Sequence, residues 1–388
     1  MSNANDVLLY HKKESVYGTL PTGNWATMRI RGHSLKTELA TEFADELGNR
    51  RVKDVARTDR KVRGDINCRW SYKNADDLFL MALMASEADT WAAVVVQTLT
   101  LTAASADNSI VRSAGDWAAD GYLAGRWIRV KGLTTNGTEF RCRIASHSSA
   151  TKIIVDHITL VNEGPTASCE VEQGGYITDA STERSWAFEN NYVTPASNFR
   201  QWAGCEVDTL RMAVSAKGLA EITAGIVGKV ETFSASTAAG TPTAALTDRL
   251  INGVDHVRAV FIDGASLAMA DWSCDIANNI RERNTFGNLG PTSLGAGQFN
   301  ATVNLNSYYS GNTQIAKYLA FTDTSLAFEV KDTAGNSYIL HWPLGNFTDA
   351  SGFPTGNNTD IMAPLAFASK EYTLGALTMQ MQIARWDV

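Results

Sequence analysis

A chain of 388 residues that is 44% hydrophobic has enough apolar material for a packed core and for two or three domains. Ten Trp and eleven Tyr exclude a disordered chain. A formal charge of -7, from 34 Lys plus Arg against 41 Asp plus Glu, argues against a sequence-specific DNA binder, which would usually be basic.

The first six residues lack a basic segment followed by an apolar run, so no signal peptide is expected. The first strand is expected over 35–43, with Leu35, Leu39 and Phe43 on one face and Lys36, Glu38 and Glu42 on the other. A polar loop over 45–58 carries Asp45, Arg50, Arg51 and Arg57. The next strand, over 62–70, sets Val62, Ile66, Cys68 and Trp70 against Arg63, Asp65, Asn67 and Arg69. A helix follows, with Asn74 as its N-cap and Asp76 and Asp77 in the first turn, where the helix dipole favours acids. Residues 78–84 are apolar nearly all round, which predicts a buried helix. The longest apolar run, 92–96, is too short to cross a membrane, so a soluble protein made inside a cell is expected.

The stretch 96–176 differs in character. Short strands are expected near 98–101, 127–131, 140–144, 153–155 and 167–172, with turns at Asp120-Gly121 and Asn136-Gly137. This reads as an inserted small β-domain, because 88–91 and 182–186 would join sensibly without it. Residues 234–246, rich in Ala, Thr and Ser, read as an exposed loop.

From 266 to 319 the pattern of 34–84 returns: strand, polar loop, strand, turn, short helix. Ala268, Trp272, Cys274 and Ile276 oppose Asp271, Ser273 and Asp275. The loop 281–295 carries Arg281 and Arg283. Phe299, Ala301, Val303 and Leu305 oppose Asn300, Thr302, Asn304 and Asn306. A helix begins near Asn312 and carries Ile315, Ala316, Tyr318 and Leu319, which are expected in the core. The turn Asp332–Asn336 joins two further strands. Four strands with one apolar and one polar face fit a sheet packed on one side and wet on the other.

No chemistry accompanies the repeat. The five cysteines, at 68, 142, 169, 205 and 274, show no Cys-x-x-Cys or zinc spacing, so reduced and mostly buried thiols are expected. The six histidines are scattered, with no pair at metal-ligand spacing. Residues 264–268 lack the second Gly of a nucleophile elbow, and 225–229 are too short for a phosphate loop. No enzyme, metal or cofactor is expected.

Several segments together resemble the tail tube proteins of long-tailed bacteriophages with flexible, non-contractile tails. They are Glu14-Ser-Val-Tyr-Gly-Thr-Leu-Pro-Thr-Gly23, Gly32-His-Ser-Leu-Lys-Thr-Glu38, Asp45-Glu46 followed by Arg50-Arg51-Val52, and Gly64-Asp65-Ile66. Late in the chain come Asp323-Thr-Ser-Leu-Ala-Phe328, Asp332-Thr-Ala-Gly-Asn-Ser-Tyr338, Ile361-Met-Ala-Pro-Leu-Ala-Phe367 and the strand 377–383. The resemblance covers 7–92 and 177–388. It implies a mainly β fold of tail-tube sandwich or barrel type, with one or two short helices and long strands that pair between subunits. The discontinuous core would be 1–95 and 177–388, with 96–176 inserted as a small β-barrel. It also implies a structural virion protein, assembled in the host cytoplasm into stacked rings, usually of six, that conduct DNA. Glu38, Glu42, Asp65, Asp271 and Asp275 would then line the lumen. Lys36, Arg63 and Arg69 share those faces and are expected to pair with acids across strands. Asp45, Arg50, Arg51, Arg57, Arg281 and Arg283 would make contacts between rings. The implied partners are further copies of the chain, the tape measure protein, the tail terminator, distal tail or baseplate proteins, and DNA passing without specific binding. The alternative is a β-rich baseplate or adhesin protein whose insert binds carbohydrate through Trp117, Tyr122 and Trp127. The same three residues also suit a barrel core.

Overall fold

The structure is a computed structural model that describes residues 7–44, 47, 50–86, 91, 96–192, 197–352, 357, 359–375 and 377–387. In chain order, β1 is Val7–Lys13, β2 Lys36–Phe43, β3 Val55–Arg69 and α1 Asp76–Ala82. Six strands follow: β4 Gln97–Ala104, β5 Ser109–Arg112, β6 Trp127–Lys131, β7 Glu139–Ser149, β8 Lys152–Asp156 and β9 Glu163–Gln173. Then come β10 Trp186–Tyr192, β11 Asn198–Ser215, β12 Glu221–Gly228, β13 Met269–Ala277, β14 Arg281–Arg283, β15 Ser293–Gly295 and β16 Asn300–Tyr308. The last elements are α2 Thr313–Leu319, β17 Thr324–Lys331, β18 Ser337–Ala350, β19 Met362–Ser369 and β20 Gln382–Trp386. The fold is mainly β, with antiparallel strands in a large sheet and a closed six-strand barrel. Contacts divide it into two compact units.

The first unit comprises Met1–Met84, Ser181–Gly253 and Ser273–Ala301. Its central row runs β2–β3–β12–β11. Alternation buries Val62, Ile66, Cys68, Leu210, Met212, Ile222, Ala224 and Ile226 on one face. α1 packs on β11 through Leu78, Phe79, Met81 and Ala82, as its apolar circumference predicts. Phe79 meets Trp70 edge-on at 5.8 Å. Asn74 is not the cap, however: Ala75 occupies that position without a side-chain bond. Asn74 instead exchanges hydrogen bonds with the backbone of Arg29, at 3.0 and 3.1 Å. That tertiary pairing satisfies both ends of the amide, which a cap would not.

Two expected core positions are not core. Leu35, just before β2, is 2% exposed, but on β2 Leu39 is 55% and Phe43 63% exposed. The alternation is correct, yet the packed layer of this unit ends beneath Leu35 and the hairpin β2–β3 runs on past it. The helix α2 likewise has no buried residue, so its apolar side chains belong to a surface.

The second unit comprises Ala85–Ala180, Val254–Trp272 and Thr302–Val388. Strands β4 to β9 close a barrel in the order β8–β5–β4–β9–β6–β7. β5, which the sequence reading missed, is only four residues long. Trp117 and Tyr122 fill the barrel core with Leu101, Ile128, Phe140 and Val171. The Trp117 Nε1–H donates to the Thr151 carbonyl at 2.9 Å, and the Tyr122 hydroxyl to Val171 at 2.8 Å. Trp127 is buried too, among Ala327, Ile339, Ala384 and Trp386 from β17, β18 and β20. All three aromatics are therefore interior, and none offers a face to a sugar. Arg141 on β7 binds Glu329 on β17 at 2.9 Å, and Lys331 binds Glu139 at 2.8 Å. The barrel is thus seated on its unit by packed aromatics and partly buried ion pairs.

The burial contrast between Leu35 and Leu39 makes a direct prediction for the dispersed chain. Leu35→Asp places a carboxylate in the packed layer and should cost on the order of 4 kcal/mol. Leu39→Asp should change stability by less than about 0.5 kcal/mol, as exposed positions do. Urea melts of the two variants check this. Equal losses at both sites would show that Leu39 is core.

Candidate assembly and channel surfaces

The polar face of the first unit is built by strand register. Arg69 stands opposite Glu221, Asn67 opposite Thr223 and Asp65 opposite Gly225. Thr223 in turn stands opposite Arg211, and Gly225 opposite Thr209. On the outer strand, Lys36 faces Arg63 and Glu38 faces Lys61. Directly opposed residues share a face, so Glu38 and Asp65 lie on one surface with the basic residues expected there. Glu42 follows Glu38 four positions on and is exposed.

Arg63 and Arg69 are held by acids, whereas Lys36, exposed opposite Arg63, meets no carboxylate among the described residues. Arg69 binds Glu221 at 2.5 Å, Arg31 binds it at 2.9 Å, and Arg211 binds Asp275 at 3.1 Å. Arg63 and Lys61 both reach Glu282, at 2.8 and 3.1 Å. Burial works to raise the pKa of Glu282, but hydrogen bonds from Arg63 and Lys61 overcome it and hold the carboxyl below its ordinary range. Glu231 plays the same part for Arg200, at 2.8 Å, and also accepts from the Thr37 backbone and hydroxyl. Neither Glu282 nor Glu231 stands out in the sequence, because each is a lone acid whose partners are distant in the chain.

In the second unit, β16 carries Thr302, Asn304 and Asn306 opposite Ala368, Ala366 and Pro364 of β19. Asp349 of β18 stands opposite Ala366 after an irregularity in register. Asp271 is exposed and accepts from the Asn306 amide at 3.3 Å. These positions carry amides, hydroxyls, small residues and acids, with no Lys or Arg.

The proposed loop residues separate. Arg50 and Arg51 are exposed in the connection between β2 and β3. Asp45 lies outside the described residues. Arg57 is not in a loop: β3 already begins at Val55, and Arg57 is an exposed strand residue opposite Thr41. Arg281 and Arg283 lie on the short strand β14, paired with β15 in place of the long loop expected. Backbone pairing within the segment satisfies groups that an open loop would leave to water. Arg281 donates to the Ala296 carbonyl at 3.0 Å, and Arg283 approaches Glu183 at 3.4 Å.

Each unit also buries ionisable groups. Burial, with Glu183 and Glu14 adding to it, pushes the pKa of Glu206 up to about 8, so its carboxyl is protonated at neutral pH. His157 and His341 are far apart in sequence but have ring centroids 5.2 Å apart in the second unit. Burial lowers His157 to about 4 and His341 well below its ordinary value, so both are neutral. All five cysteines are buried and unbridged. Among the described residues, no group of three or more His, Cys, Asp or Glu is placed to hold a metal ion.

A family model described as phage tail tube protein matches residues 4–369. No curated protein matches the chain.

The buried groups predict opposite pH responses in the two units. Glu206 rises from 4.5 to about 8 on folding. The folded chain therefore keeps a proton that the unfolded chain has lost, and stability falls as pH climbs through that window. His157 falls from 6.5 to about 4, so its unit loses stability as pH drops through that range. Glu206→Gln should raise stability at pH 8 by on the order of 1–3 kcal/mol and leave the acid side unchanged. Denaturant melts from pH 5 to 9 would show it. An unaltered alkaline slope in the variant would contradict the assignment.

Proposed function

Because the chain belongs to the phage tail tube protein family, we propose that its copies close side by side into rings. The rings stack into the tube of a virion tail, and genomic DNA passes through the lumen on ejection. The family is structural, not enzymatic. The observation that carries the conduit reading is the neutralisation of Arg63, Arg69 and Arg211 by Glu282, Glu221 and Asp275 on the wet face. Free cations repeated around a channel would each bind phosphate and hold the duplex. Cations tied to carboxylates hold phosphate less, and the polar positions of the second unit add amides, hydroxyls, small residues and acids without Lys or Arg.

In this reading Glu38, Glu42, Asp65, Asp271 and Asp275 face the lumen. Arg50 and Arg51, in the β2–β3 connection, meet the next ring together with Arg57, Arg281 and Arg283. Residues 96–176 form a module inserted in a core of 1–95 and 177–388. Support comes from the closure of the barrel entirely within that stretch. Its seam at Trp127 means that deletion would expose Trp386 and Ile339 and must be accompanied by polar replacements there. The tape measure protein, the tail terminator and the distal tail or baseplate proteins are the expected partners, and assembly takes place in the host cytoplasm. The adhesin alternative loses its main support with the burial of Trp117, Tyr122 and Trp127.

The test couples tube formation to DNA passage. Glu38→Lys with Glu42→Lys changes an exposed face and should leave the fold within about 0.5 kcal/mol of the parent. Tubes should form in normal yield, while ejection from particles carrying the variant should slow and show a stronger dependence on salt. Normal ejection through well-formed variant tubes would remove these residues from the lumen.

A further inference from the structure

Within the second unit, one side-chain amide ties the barrel to the sheet. Gln382, the first residue of β20, is fully buried. Its oxygen accepts from Arg126 at 3.2 Å. Its nitrogen donates to the Gly125 carbonyl at 2.9 Å and lies 3.0 Å from Nδ1 of His341 on β18. Gly125 and Arg126 lead into β6 of the barrel. Arg126 can only donate and the Gly125 carbonyl can only accept, so the amide has one allowed orientation. His341 must therefore accept at Nδ1 and carry its proton on Nε2, which has no hydrogen-bond partner among the described residues.

The surroundings are poor in compensation for a charge. His341 is 0% exposed, and its ring centroid lies 5.4 Å from that of Trp127 and 5.2 Å from that of His157. His157, just after β8, is also buried, 4.8 Å from Trp127, and its Nδ1 is likewise unpartnered among the described residues. From the barrel, Arg143 acts on both imidazoles. Asp156 lies 3.9 Å from His157 but already accepts from Arg143 at 3.0 and 3.1 Å. Asp263 also acts on His157 and is engaged by Lys317. β17 and β20 set uncharged residues, Ala327 and Gln382, opposite His341. Further along β17, Glu329 and Lys331 are paired with Arg141 and Glu139.

Protonation of His341 reverses its contact with Gln382. The proton goes to Nδ1, and one N–H then meets another. Turning the amide over does not repair this, because its oxygen would face the Gly125 carbonyl and its nitrogen would face Arg126. A proton on His157 adds a cation near Arg143 and beside His341. Water reaching the rings relieves both charges.

We propose that Gln382, His341 and His157 form an acid-sensitive latch, which holds the barrel on its sheet at neutral pH and releases it, still folded, on acidification. The inference is independent of the ring reading. The barrel has its own core around Trp117 and Tyr122, separate from the seam at Trp127, so release need not unfold it. Burial holds His157 at about 4 and His341 well below 6.5 in the closed form. Exposure on opening returns both toward 6.5, so the open form takes up protons that the closed form excludes. The closing equilibrium should fall as pH drops below 6.5, by about tenfold per pH unit for each imidazole.

Nitroxide labels at Ser113→Cys in the barrel and Thr348→Cys on β18 measure the separation in the full chain by pulsed electron spin resonance. Both sites are exposed, and the native cysteines are buried. The expected result is one narrow distance at neutral pH. A second, broader population should grow as pH falls from 6.5 to 4, with circular dichroism unchanged, and vanish on neutralisation. The paired variant His157→Asn with His341→Asn cannot be protonated, offers Gln382 an acceptor, and suits the φ of 62° at position 157. It should keep the single narrow distance throughout. His157→Asn alone leaves the Gln382 contact intact and should reduce the steepness from about a hundredfold to about tenfold per pH unit. A parent chain that keeps one narrow distance at the acid end would overturn the proposal. So would paired and single variants that open as the parent does, which would assign the response to seam carboxylates. Loss of circular dichroism in step with opening would show unfolding instead of release and would overturn it too.

Discussion

The open backbone edge of β2 is the constraint on which the rest of the molecule turns. A strand that ends a sheet presents a line of unpaired donors and acceptors, and it invites any other strand to pair with it. The usual defences are a short edge, a proline, inward charge or a covering element. β2 has eight residues, no proline and two apolar side chains, Leu39 and Phe43, standing in solvent. A strand from another copy would satisfy such an edge, and closure into a ring is the arrangement that leaves none behind.

In the proposed tube, the charge pattern serves that closure. A surface that will enclose a polyanion has to be wet without being adhesive. A purely acidic wall would repel itself when repeated around a ring, and a basic wall would trap DNA. The first unit solves this with cross-strand pairs, each binding a guanidinium to a carboxylate at 2.5–3.1 Å. Exposed pairs of this kind contribute little to stability, about 0–1 kcal/mol. Their value here lies in removing free cations from the face. The second unit uses amides, alanines and acids instead. The barrel stands apart from this division of labour, with its own aromatic core and a seam closed by Trp127 and Arg141.

Much of this was legible in the sequence. Period-two alternation identified which residues of 35–43, 62–70 and 299–306 share a face, and the register agrees. The apolar run 78–84 announced a buried helix, and Asp332–Asn336 announced a hairpin, whose Asp332 side chain accepts from the Gly335 and Asn336 amides. What alternation cannot report is whether anything covers a face. Leu39 and Phe43 look like Leu35 in the sequence, and the apolar residues of α2 look like those of α1, because the covering partner is not encoded nearby. Long-range pairs were equally hidden. Glu282 joins Lys61 and Arg63 across more than two hundred residues, and His157 meets His341 although neither sits in a motif. In the sequence Arg57 looks like loop because charge outweighs the β-branched residues around it, whereas hairpin pairing with β2 extends the strand to Val55.

The central claim of the proposed tube is that the open edge of β2 is paired between copies. Hydrogen–deuterium exchange at the backbone amides of 39–43, compared in the dispersed chain and in assembled tubes, tests it most directly. The account predicts fast exchange at the outward amides of this segment in the monomer, beyond Thr37, whose amide is already bonded to Glu231. In the tube the same segment should become protected at least about a hundredfold. Exchange that is already slow in the monomer, or that remains fast in the tube, would show that this edge is not where the copies meet.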